Sequence, residues 1–307
     1  MFVIVYGALR SGTTLLRLML DKHPELSCPG EADFLFDHLK FGEDGDISID
    51  VDRLKEGRIY QNSAVQINQN LSARDAVLDM IRQMRDDENQ CVVLMLHRGI
   101  TSALRLFGNV PILHILRDPR DVARSSIGMG WVGTVYHGVD HWIKTENEWD
   151  AVEDAYPDAE TQILTYEDLI KEPERELKRI ATFFGVSYDP NMLTYHAGST
   201  YGPPDVSLIE QWRHKQLPRD IALIEGRLKR QLAARGYEPS GYAPITPSLW
   251  FKLLLWGQNK TRTWRERIKR YGVIDPIIVG VSRRAKMPAM SQNARKRMNR
   301  KRLRYLK

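Results

Sequence analysis

Short apolar runs at 2–6, 25–28, 90–96, 110–116 and 161–165 punctuate this chain. Helix-period patterns fall between them, including 73–85 and 119–127. Strands alternating with helices predict an α/β fold, a parallel sheet covered on both faces. The stretch 41–70 is polar, acidic in part and weakly periodic, and reads as an insertion or mobile cover. A Gly/Pro-rich link at 236–244 suggests a boundary, with a domain over 1–242 and an extension over 243–307.

The first run leads into Gly7-Ala8-Leu9-Arg10-Ser11-Gly12-Thr13-Thr14, and a helical pattern follows. Strand, glycine loop, helix is the arrangement that cradles a phosphate. Backbone N–H groups point inward and the positive helix end adds to them. The loop keeps two glycines at P-loop spacing, but Thr13 stands where a nucleotide triphosphatase carries lysine. Arg10 is a candidate replacement cation, and Thr13 and Thr14 offer hydroxyls. A tight turn would use the same glycines for conformational reasons alone. The fourth run ends in Arg117-Asp118-Pro119-Arg120-Asp121, with Ser125 further on. Pro119 suits a first helical turn. Arg117 and Ser125 could face one anion, or could decorate a capped helix.

Taken together, Arg10-Ser11-Gly12-Thr13-Thr14 and Arg117-Asp118-Pro119-Arg120-Asp121 with Ser125 resemble the sulfotransferases that use 3′-phosphoadenosine 5′-phosphosulfate. The likeness extends over about residues 1–240. It implies a P-loop-type sheet. It also implies that Arg10, Ser11, Gly12, Thr13 and Thr14 bind the 5′-phosphosulfate, and that Arg117 and Ser125 bind the 3′-phosphate. Tyr166, in Leu164-Thr165-Tyr166-Glu167-Asp168-Leu169, would lie near the adenosine. Arg213, beside Trp212, resembles the cation that closes over the nucleotide; a core tryptophan starting an amphipathic helix is the other reading. Two residues compete for the catalytic base. Glu31 follows the second run, in a Gly-Glu context similar to protein-tyrosine sulfotransferases, although Pro29 is an added residue. His97 ends the third run, where small-molecule sulfotransferases have Lys-Thr-His and this chain has Met95-Leu96-His97. Asp33 is a further carboxylate nearby. Arg10 would also stabilise charge on the leaving phosphate.

The expected activity is sulfuryl transfer to a hydroxyl of a sugar, lipid-linked alcohol, phenol or peptide tyrosine. No metal is expected, since a sulfo group carries less negative charge than a phosphoryl group. The segment 129–136, small residues among aromatics, could line the acceptor pocket or be an ordinary loop. A P-loop small-molecule kinase would need the missing lysine and a clear magnesium carboxylate, for which Asp118 is a weak candidate. A non-catalytic nucleotide-binding protein at a membrane surface is a third reading.

Net charge changes the picture of the far end. Residues 259–307 hold 17 Lys+Arg and 2 Asp+Glu, a net +15, which leaves −9 for residues 1–258. Just before this basic run stands Leu249-Trp250-Phe251-Lys252-Leu253-Leu254-Leu255-Trp256. Tryptophans beside cations suit an anionic membrane surface; a core-packing helix with a basic tail is the alternative. No nucleic-acid-binding module is recognisable, so no specific nucleic acid is expected. Two cysteines and no basic segment before the first run suit a cytoplasmic setting, with possible membrane association.

Overall fold

The computed structural model describes residues 1–87, 90–197, 199–228, 230–284 and 297–298. It divides into two compact units, one of residues 1–118 and 141–211, the other of 119–140 and 212–307.

The first unit carries the sheet. Its strands are β1 (Phe2–Tyr6), β2 (Leu26–Ser27), β5 (Cys91–Leu96), β6 (Ile112–Leu116) and β7 (Thr161–Thr165), all parallel, in the order β2-β5-β1-β6-β7. Between β2 and β5 lies a small antiparallel hairpin of β3 (Leu39–Phe41) and β4 (Ile47–Ile49). Alternate strand residues serve opposite faces. Ile4, Tyr6, Val92, Leu94 and Ile112 join one buried cluster with Val77, Met80, Ala103 and Trp149. Val3, Val5, Val93, Leu113 and Ile115 join the other with Leu16, Leu169, Leu177 and Ile180. Because helices cover both faces, β5 is buried at all six positions.

The stretch 41–70, expected to be an insertion or a mobile cover, is folded onto the first unit's core. It contains part of the β3–β4 hairpin and helices Val51–Glu56 and Arg58–Asn62. Leu54, Tyr60 and Val65 are buried in the first core cluster. A few widely spaced apolar residues anchor this polar segment, which periodicity alone does not reveal.

The second unit holds helices Pro119–Gly128, Pro218–Leu228 and Leu249–Tyr271. Besides buried apolar residues such as Val122, Ile221, Ile224 and Leu228, it holds a buried polar cluster. Arg120, 2% exposed, pairs with Glu225 at 2.8 Å, stacks 3.6 Å from the Trp212 ring and donates to the Glu238 carbonyl. The Trp212 N–H donates to Asp121. Ser240, in the Gly/Pro-rich link, donates to Glu225, and the Ile245 N–H bonds the Ala222 carbonyl. The link is therefore part of this unit's packing. Most of the basic run after residue 284 lies outside the described residues.

Candidate active site

All five parallel strands point their carboxyl ends to one edge, where ligands of open α/β sheets bind. The segment Gly7–Gly12 leaves β1 there, Glu31 follows β2, His97 follows β5, Arg117 follows β6 and Tyr166 follows β7. The sequence scatters these residues over 160 positions; the topology gathers them.

The loop is tightly specified. A Cβ on Gly7 would stand 2.3 Å from the Ile115 carbonyl oxygen, so only glycine lets β1 leave beside β6. Gly12 has φ 93° and precedes helix Thr13–Leu20 without a side-chain cap. Its missing Cβ would meet the Tyr166 ring at 2.3 Å. The amides of the first helical turn thus face the loop without a competing cap. Ser11 is fully buried, and its Oγ has no hydrogen-bond partner among the described residues. A buried hydroxyl of this kind fits a phosphate or sulfate oxygen.

Two cations converge on the loop. Arg10 adopts a left-handed backbone, φ 75°, rare for a residue with a side chain. Arg117 Nη1 donates to the Arg10 carbonyl at 3.2 Å, and its guanidinium lies 4.2 Å from the Tyr166 ring centre. Burial, followed by the opposing effect of Tyr201 and the like charge of Arg117, leaves Arg10 below its ordinary pKa. An anion would relieve the repulsion between the two arginines. The Arg117 carbonyl is held in turn by Trp142 Nε1 at 3.1 Å, and His141 bonds the Leu9 carbonyl.

Beside the loop is a cavity of about 140 Å³ lined by Thr13, Thr14, Arg17, Gly30, Glu31, Met95 and His97. It brings both candidate bases to the loop threonines. Glu31 is exposed, and its backbone bridges Met95 at the end of β5. His97 is 8% exposed and more constrained: Nδ1 lies 2.8 Å from the Gly7 carbonyl. A carbonyl only accepts, so this contact fixes the Nδ1–H tautomer and leaves Nε2 as the acceptor. Asp33 has a different task. It is 1% exposed, accepts from the His97 and Arg98 amides, and sits 3.6 Å from the Arg98 guanidinium. It clamps the turn after β5. Arg17 is a cavity cation that the motifs did not single out; it lies one turn beyond Thr13 and Thr14, a spacing that could have found it.

Ser125 and Arg213 belong to the second unit. Ser125 lies on helix Pro119–Gly128, and the Arg213 guanidinium lies 4.4 Å from the Trp212 ring. Trp212 is 2% exposed, in agreement with the core-tryptophan reading.

Glu167 was not singled out as a site residue. It accepts from the Asp118 amide at 3.0 Å, and burial pushes its carboxyl up to about 7. The acid is easier to keep neutral in the fold than in the unfolded chain. Its contribution to stability is therefore complete below about pH 4.5 and is lost as pH rises through about 7. The difference is on the order of 3 kcal/mol. Glu167→Gln should flatten the fall in stability between these limits and raise the melting temperature at pH 8. Denaturation of both proteins across pH 4–8 checks it; an unchanged pH slope would refute the assignment.

Residues 3–190 match the model of the Sulfotransferase family. A Caenorhabditis briggsae protein named for protein-tyrosine sulfotransfer is 27% identical over 205 residues, 63% of this chain and 69% of its own. Protein-tyrosine sulfotransferase A of Caenorhabditis elegans is 23% identical over 274 residues, 79% of this chain and 69% of its own. The sulfotransferase domain from the curacin biosynthetic pathway shares the fold, with a TM-score of 0.57 at 18% identity, over 77% of this chain and 98% of that domain. The family match extends from β1 past β7 and takes in the whole sheet edge described above, and on that ground the chain belongs to the sulfotransferase family and is a sulfotransferase enzyme.

Proposed function

We propose that the enzyme moves the sulfuryl group of 3′-phosphoadenosine 5′-phosphosulfate to an acceptor hydroxyl, with Glu31 as the base. The observation that carries this reading is the shared cavity of Glu31, His97, Thr13 and Thr14, directly beside the glycine loop. The loop amides, Ser11 Oγ and Arg10 would hold the 5′-phosphosulfate. Arg117 would hold the 3′-phosphate, and Tyr166 would pack on the adenosine.

The donor's sulfur accepts the acceptor oxygen while its bond to the bridging phosphate oxygen breaks. The acceptor proton passes to the Glu31 carboxylate, and negative charge grows on the departing phosphate. Arg10, Thr14 and the helix-start amides face that charge and stabilise it. His97, fixed by Gly7, presents Nε2 to the cavity and positions the acceptor hydroxyl. No step requires a metal, so activity should survive a chelator. The names of the nematode relatives make a tyrosine phenol the first acceptor to try.

Calorimetry tests the donor. 3′,5′-Adenosine bisphosphate should bind well and ATP poorly, because only the former offers Arg117 a 3′-phosphate. Arg117→Ala should weaken the bisphosphate by about 2–4 kcal/mol, the scale for removing one partner of a buried charge pair. Equal affinity for the two nucleotides would overturn the assignment.

A further inference from the structure

Helix Leu249–Tyr271 has two unlike faces. At about 100° per residue, Leu255, Asn259, Arg262 and Arg270 fall on one side. That side packs within the second unit: Asn259 accepts from the Gly133 amide, Arg262 donates to the Gly133 carbonyl, and Arg270 donates to the Met129 and Gly128 carbonyls. A Cβ on Gly133 would stand 2.6 Å from Arg262 Cβ, so that glycine sets the close approach. The segment 129–136 thus has a packing role against this helix.

The opposite side carries Leu249, Trp250, Leu253, Leu254, Trp256 and Trp264, an arc of about 160°. All six are exposed, Trp250 at 81%. Large side chains of this kind gathered on one face mark an interaction surface. Further along the same arc the character changes to Lys260 and Arg267, both exposed. The helix holds seven cations and one acid, Glu266, which lies on the inner side near Arg270. The outward face is apolar at its start, basic at its end, and without a carboxylate.

We propose that this face docks on an anionic lipid surface, with Trp250, Leu253, Leu254 and Trp256 entering the headgroup–acyl boundary and Lys260 and Arg267 meeting lipid phosphates. Charge selects the occupant. A second copy would bring its own helix, with the same seven cations and one acid, against this one. A nucleic acid would satisfy the cations and leave the leucines in water. No helix among the described residues is long and apolar enough to cross a membrane, so the mode is surface binding. The proposal is independent of the donor and acceptor assignments, because these residues lie outside the sheet edge.

Flotation of the full chain with vesicles tests it, using phosphatidylcholine alone and phosphatidylcholine with phosphatidylglycerol. Binding to the anionic vesicles should be at least about tenfold stronger and should fall with salt. The double variant Trp250→Ser/Leu254→Ser should lose at least about tenfold of that binding while its melting temperature and bisphosphate affinity stay at wild-type values. Lys260→Gln/Arg267→Gln, which leaves the apolar residues in place, should bind less and respond less to salt. Equal binding to neutral vesicles, no binding to either, or undiminished binding by the first variant would overturn the proposal. So would self-association that the Trp250→Ser/Leu254→Ser variant abolishes.

Discussion

Glu31→Gln should lower turnover by at least about a hundredfold, the lower end for loss of a general base. The amide keeps the size of the carboxylate but cannot take the acceptor's proton. Bisphosphate affinity should stay near wild type, because Glu31 faces the cavity and the nucleotide contacts assigned above come from other residues. His97→Asn is the companion measurement. A smaller loss, expressed mainly in acceptor KM, is expected from a positioning role. Should His97→Asn instead remove nearly all turnover while Glu31→Gln remains active, the base is His97 Nε2.

Gly12→Ala should be strongly damaging for a single added methyl group. At φ 93° an L-residue is strained by about 1–2 kcal/mol. The new Cβ would also stand 2.3 Å from Tyr166 Cδ2, and overpacking of this kind costs a further ~1–3 kcal/mol. Relief requires the Tyr166 ring to move, which takes it away from the Arg117 guanidinium. The variant should melt at least about 5 °C lower and lose donor affinity by about a hundredfold or more. Thermal denaturation and calorimetry read the two effects. Tyr166→Ala in the same background removes the clash but also a buried ring, so the double variant should lose less stability than the two single losses added together, without recovering donor binding. Wild-type melting in Gly12→Ala alone would show that the loop is not held as described.

The sheet and the residues at its carboxyl edge were legible in the sequence because their signals are local. Gly7 and Gly12 announce close backbone approach, and Pro119 announces a helix start. The five strands of the parallel sheet begin and end within two residues of the runs that predict them, whereas the β3–β4 hairpin has no such run. Leu26–Ser27 shrinks because only those two residues pair with β5. Other features depend on partners far away in the chain. Nothing local distinguishes the carboxylate of Asp33, which clamps two amides, from that of Glu31, which opens on the cavity. The burial of Leu54, Tyr60 and Val65 is likewise a product of tertiary packing against the sheet. The packing of the Gly/Pro-rich link was hidden for the same reason, since Ser240 and Glu225 meet only in the folded second unit.

Arg10 sets two kinds of selection against each other. Its left-handed backbone would be relaxed by glycine, which adopts that conformation without strain. A search for heat-resistant variants has reason to accept that exchange, and in doing so would discard a cation at the mouth of the loop. A search for turnover would keep the arginine together with its strain. On the role proposed for Arg10, position 10 is a place where a drift toward durability separates from a drift toward activity, and a glycine found there in a stabilised descendant would mark the loss of that role.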